Sequence, residues 1–140
     1  MSERAVELHR RIFDAFNERD VEALIDCVHP QFELHSKLAA LAPSVYEGHG
    51  GLRRWHQDLE DSWEGLRAEP EAYFDLGEQT LAVYVLRARG RQSGLELALP
   101  IAALVRWRDG LARTWVTYEN REDALRDLGV SEDALEPIAP

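Results

Sequence analysis

A single cysteine in 140 residues leaves nothing for an internal disulfide to form with. Cys27 stands between the apolar residues Ile25 and Val28, and nothing adjacent marks a lowered thiol pKa, so it reads as a buried structural residue in a reducing compartment. Basic residues are also scarce. Sixteen Lys and Arg face 26 Asp and Glu, and a formal charge of −10 repels a phosphate backbone, which excludes nucleic acid as an expected partner. Long apolar runs are missing as well. The opening MSERAVELHRRIFDAF is charged throughout, unlike a secretion signal, and no later run approaches the length of a membrane span, so a soluble cytoplasmic protein without membrane contact is expected. Repeats, linkers and low-complexity tracts are lacking, and the length suits one domain over residues 1–140, with 131–140 as a C-terminal tail. Metal-ligand patterns are absent too. His49 and His56 lie seven residues apart, about 10 Å along a helix, which is too far for one ion. No metal and no cofactor is expected.

What is present is periodicity that changes once, from helical to extended. Ala5, Leu8, Ile12, Phe13 and Phe16 recur at helical spacing, and Asp20 can cap a second helix carrying Val21, Leu24, Ile25 and Val28 up to Pro30. QFELHS alternates like a half-buried strand, and KLAALAPSV reads as an apolar connection. YEGHGGLRRWHQDLEDSW then resumes helical spacing through Leu52, Trp55, His56, Leu59 and Trp63, with Asp58, Glu60, Asp61 and Glu64 on a solvated arc. Extended segments follow, separated by Gly77-Glu78, Gly90 to Gly94 and Asp109-Gly110, and antiparallel neighbours are the simplest consequence. In LALPIAALV both alternating sets are apolar, which predicts a central strand covered on both faces, with a bulge or bend at Pro100. Asn120 can cap a last helix that ends at Gly129. The order predicts an α+β fold with helices packed on one face of a curved, mainly antiparallel sheet.

Four stretches carry a resemblance: NERDVEALIDCVHPQFEL, YEGHGGLRRW, RGRQSGLELALPIAALVRWRDG and YENREDALRDLG. In this order, over nearly the whole chain, they resemble a SnoaL-like protein of the nuclear transport factor 2-like superfamily. The resemblance implies a cone-shaped sheet wrapped around the N-terminal helices, a cavity between them and, often, a dimer. It does not choose a reaction, because the superfamily holds isomerases, cyclases, hydrolases and non-catalytic modules. Ketosteroid isomerase relatives place an oxyanion-donating tyrosine where this chain has Ile12, and a general-base aspartate where it has Ser36 beside His35. Isomerisation by that mechanism is therefore disfavoured.

Candidate site residues follow. His56 shares the inward arc of its helix with Leu52 and Leu59, either as a core imidazole bonded to a neighbour or as a proton-transfer group working with Tyr118. His35 could serve as a base, although Phe32 and Leu34 facing the core would turn it away unless a bulge intervenes. Tyr46, Trp55, Trp63, Tyr84 and Trp115 are the expected ligand-binding aromatics. Two functions stay open: acid–base chemistry, such as isomerisation or cyclisation, on a small apolar carbonyl-containing or cyclic metabolite, and a non-catalytic ligand-binding or dimerisation module with a packed cavity. The second apolar face of LALPIAALV further predicts a homodimer through the sheet, with Ala98, Ala102 and Leu104 outward and Leu97, Leu99 and Ile101 inward.

Overall fold

The computed structural model describes residues 2–36, 44–131 and 135–140. The described elements are α1 (Ser2–Asn17), α2 (Val21–Asp26), β1 (Val28–Ser36), β2 (Ser44–Glu47), α3 (Gly48–Ser62), β3 (Trp63–Asp75), β4 (Gln79–Gly90), β5 (Glu96–Arg108), β6 (Leu111–Tyr118) and α4 (Arg121–Leu128). The strands form one curved sheet in the spatial order β2-β1-β6-β5-β4-β3, antiparallel at every junction except β1 with β6. This is an α+β fold whose mainly antiparallel sheet wraps the N-terminal helices. No described helix is long and apolar enough to cross a membrane.

Local chemistry sets several boundaries. The Asp20 carboxylate accepts from Ala23 N at 3.1 Å to start α2, and the Asn120 side chain accepts from Asp123 N at 2.9 Å to start α4. Gly129 ends α4 in the left-handed region. Asp109 and Gly110 both take positive φ, 56° and 76°, as a two-residue turn matched to strand twist requires.

Elsewhere pairing overrides periodicity. α2 stops at Asp26, short of Pro30, because Val28 already pairs with Ala112 of β6 and Cys27 O accepts from Ala112 N at 3.0 Å. Cys27 itself is half-buried, and burial pushes its thiol pKa up against the nearby Arg11. Pro30 lies exposed where the β1–β6 register shifts. Trp63 and Glu64, expected on the third helix, instead open β3 opposite Gly90 and Arg89 of β4. β2 is a strand of four residues, too short for periodicity to reveal. Most of the KLAALAPSV connection, residues 37–43, lies outside the described residues. At Pro100 no bulge forms, and the β4–β5 register runs unbroken from Gln79↔Arg106 to Arg89↔Glu96. β6 has ended at Tyr118, opposite Ala102, so Pro100 withholds its missing N–H from no β6 partner.

Two cores result. Ile101, Ala103 and Val105 of β5 face α1, α2 and α3 in the main core, while Ala102 and Leu104 face the other way. The helices therefore do not share one face: α4 packs Ala124 and Leu125 onto Ala102, Leu104, Phe74, Leu81 and Tyr118. The facing expected for Ile101, Ala102 and Leu104 is the one observed. Within this one chain α4 already covers them, and Leu104 is 8% exposed. Ala98 remains exposed beyond that cluster.

Candidate functional site

Between the N-terminal helices and the inner face of the sheet lies a cavity of about 80 Å³. Strand alternation supplies one wall: Phe32, Leu34 and Ser36 from β1, Tyr84 and Leu86 from β4, and Trp115 and Thr117 from β6. Helical spacing supplies the other, with Ile12, Phe13 and Phe16 from α1 and Leu52, Trp55 and Leu59 from α3. Among the described residues no Asp, Glu, His, Lys or Arg lines it. The polar side-chain groups of its described lining residues are the hydroxyls of Ser36, Thr117 and Tyr84 and the indole nitrogens of Trp55 and Trp115.

These few polar groups are arranged unevenly. Ser36 and Thr117 are register partners on the parallel strands β1 and β6. Thr117 is 8% exposed, and its Oγ1 has no hydrogen-bond partner among the described residues. The Trp115 indole N–H donates to the Tyr84 hydroxyl; burial raises the Tyr84 pKa and outweighs that bond, so the phenol keeps its proton.

Of the residues singled out from the sequence, the cavity brings together Trp55, Tyr84 and Trp115. Ile12 and Ser36, which stand where isomerase relatives have their donor and base, line it as well. His56 does not. It lies half-exposed on α3, about 100° around the helix from Trp55, while Trp55 and Leu59 face the cavity. Tyr118 is on the opposite face of the sheet, in the cluster under α4. Burial and a hydrogen bond to Asp127 push its pKa up to about 12. The pairing of His56 with Tyr118 is therefore corrected: the sheet separates them. His35 faces away from the cavity, as the alternation of β1 requires, and its Nε2 lies 2.9 Å from Glu33 Oε1. Hydrogen bonds from His35 and Arg113 hold the Glu33 carboxyl below its usual range. Tyr46 turns its hydroxyl to Asp58 at 2.9 Å, and Trp63 is half-buried against the main core; neither lines the cavity.

A further buried polar residue of the interior is His9, to which the sequence attaches no role. It is fully buried, with Nδ1 2.9 Å from Thr80 Oγ1. Trp107 Nε1 donates to the same hydroxyl at 2.9 Å. An indole can only donate, so the arrangement that uses each group once sends the Thr80 proton to His9 Nδ1 and leaves Nε2 protonated. That Nε2 has no conventional partner among the described residues. His9 stacks on Phe13 at 5.1 Å and stands edge-on to Trp115 at 5.0 Å and Tyr73 at 5.3 Å, an aromatic cage whose π faces suit an N–H. Desolvation lowers its pKa from 6.5 to about 3. The signal for it was spacing, because His9 follows Ala5 by four positions and precedes Ile12 and Phe13 by three and four.

The glycine-rich start of α3 is structural. A Cβ on Gly51 would come within 2.9 Å of the Tyr46 backbone, so glycine lets the helix lie against β2. His49 Nε2 lies 3.0 Å from the Val28 carbonyl oxygen. Among the described residues no three His, Cys, Asp or Glu side chains gather as a metal-ligand set. A second, open groove is lined by Arg4, Arg106, Arg108 and Arg113 together with Glu33, Asp75, Glu78 and Asp109, whose opposed charges favour neither anion nor cation.

Comparison with known proteins accords with this geometry. The SnoaL-like domain profile matches residues 9–115. The chain belongs to the SnoaL-like domain family. A nuclear transport factor 2-like protein of unknown function from Burkholderia pseudomallei superposes with a TM-score of 0.76 at 16% identity, covering 88% of this chain and 95% of that one. A hypothetical protein with a ketosteroid isomerase-like fold from Catenulispora acidiphila, in complex with trimethylamine, gives 0.74 at 15% identity, covering 91% and 95%. TerC, co-crystallised with polyporic acid, gives 0.75 at 18% identity, covering 89% and 97%. At such identities these likenesses speak to the SnoaL-like fold alone. No curated protein matches the sequence.

Proposed function

We propose that this SnoaL-like chain binds a small, uncharged, largely apolar molecule in its cavity and performs no acid–base chemistry with the residues that line it. The observation that carries the reading is a carbon-rich cavity whose described lining includes no carboxylate, imidazole, amine or guanidinium. General acid–base catalysis needs a group that titrates near working pH within hydrogen-bond reach of the ligand. Among the described lining residues Tyr84 is the one that ionises, and burial moves it further from neutrality. Size narrows the ligand further. At 80 Å³ the space is smaller than an engineered apolar cavity of about 150 Å³ that takes benzene. A few heavy atoms fit without moving the walls. Of the structural neighbours, one is in complex with trimethylamine and another is co-crystallised with polyporic acid.

Xenon uptake followed by NMR tests the reading. Xenon should perturb the methyl signals of Leu34, Leu86 and Ile101 in the wild-type protein, equally at pH 5.5 and pH 8.5. Ala68→Leu adds three carbons at a wall position and should abolish the perturbation, with an overpacking cost of about 1–3 kcal/mol. Absence of any xenon response in the folded wild type would instead support a packed module.

A further inference from the structure

Thr117 has a buried hydroxyl in the wall of the cavity, with no hydrogen-bond partner among the described residues. A buried hydroxyl left without a hydrogen bond costs free energy, and valine has the same shape without that cost, so packing alone does not account for threonine here. The position is constrained from both sides. Thr117 faces inward from β6 between β1 and β5, opposite Ser36 on one strand and Ala103 on the other. Ser36 places a second hydroxyl on the same cavity wall. Tyr84 keeps its phenolic proton while accepting from Trp115, and so retains a donor of its own. All three groups are neutral, and among the described residues no cation lines the cavity to offset a ligand carboxylate.

Resting on the proposed binding role of this cavity, we infer that Thr117, with Ser36 beside it, is a neutral hydrogen-bond anchor that selects an uncharged ligand carrying one carbonyl or hydroxyl oxygen on an apolar body. A carbonyl oxygen accepts from the Thr117 hydroxyl while its carbon substituents lie against Phe32, Leu34 and Ile101. A ligand hydroxyl can donate to the same oxygen. A carboxylate of equal size is excluded by the desolvation of its charge.

Three probes of one shape separate the contributions: acetone, isobutene and acetate, titrated into the full chain and followed by amide and methyl chemical shifts. Wild-type protein should bind acetone and isobutene and show no cavity response to acetate. Thr117→Val should lower the ratio of acetone to isobutene affinity about fivefold to tenfold, the size of one neutral hydrogen bond, and should hold or raise Tm because an unpartnered hydroxyl is removed. Isobutene binding by the variant confirms that the cavity survives the substitution. An unchanged ratio in Thr117→Val, with both probes still bound, overturns the anchor while leaving the cavity reading intact. Acetate bound as tightly as acetone overturns it as well. If none of the three probes, nor xenon, enters the wild-type protein, the cavity reading fails and the anchor fails with it.

Discussion

A buried imidazole that stays neutral makes a fold sensitive to acid, and His9 is such a group. Its pKa falls from 6.5 to about 3 through desolvation. Between those values the unfolded chain binds a proton that the folded chain refuses. Stability is therefore greatest above about pH 6.5 and is lost progressively as pH falls toward 3, at about 1.4 kcal/mol per pH unit. His9→Phe keeps an aromatic ring in the cage and leaves Thr80 its bond from Trp107. Urea unfolding between pH 7 and pH 4 should show a slope of stability against pH that is shallower in His9→Phe by about that amount. Equal slopes in the two proteins would mean that His9 is protonated in the folded state. His56 marks the contrast. Both histidines lie on amphipathic helices, but only the rotation of each helix against the sheet decides which ring is enclosed.

At the scale of the element, β3 is an edge strand whose unpaired backbone groups invite another chain. The Asn17 side-chain amide closes one position, donating to Ala68 O at 2.9 Å and accepting from Ala68 N at 2.7 Å. Ile138 closes a second, exchanging both backbone hydrogen bonds with Tyr73 at 2.9 and 2.7 Å. The tail is held there by Arg10, which donates to Ala139 O at 2.7 Å. Asn17→Ala leaves the Ala68 N–H and C=O open and should cost about 1–3 kcal/mol in chemical denaturation. Concentration-dependent association should rise in sedimentation velocity. Wild-type stability together with wild-type sedimentation in the variant would remove Asn17 from this role. The sequence offers no sign of the device, since it joins residues 51 positions apart.

Across the whole molecule, the apolar outer face of β5 is used inside the chain. Ala102 and Leu104 lie beneath α4, so the apolar pattern that predicts an interface between copies is accounted for by Ala124 and Leu125. Leu104→Glu should bury a carboxylate in that cluster, lower Tm sharply at a cost of about 3 kcal/mol or more, and reduce helical signal as α4 detaches. A variant with wild-type Tm and half the sedimenting mass would instead place a second copy on this face. The same two-faced strand explains why Tyr118 and the cavity part company: β6 alternates, so Trp115 and Thr117 enter one core and Val116 and Tyr118 the other.

Features governed by near neighbours along the chain were legible in the sequence. The caps at Asp20 and Asn120, the turn at Asp109-Gly110, the outward facing of His35 and the two faces of β5 all follow from spacings of two to four residues. The family resemblance rests instead on four whole stretches in order along the chain, and it was this resemblance that implied a sheet wrapped around the helices. Only the tertiary structure decided which helix arc turns inward, where α2 yields to β1, and that hydroxyls such as Thr117's rather than an imidazole at His56 meet the cavity. The reason is physical. A hydrophobic period gives the width of a buried stripe but not its rotation against a distant sheet, and register between β1 and β6 is set by packing across some 80 residues that no local pattern records.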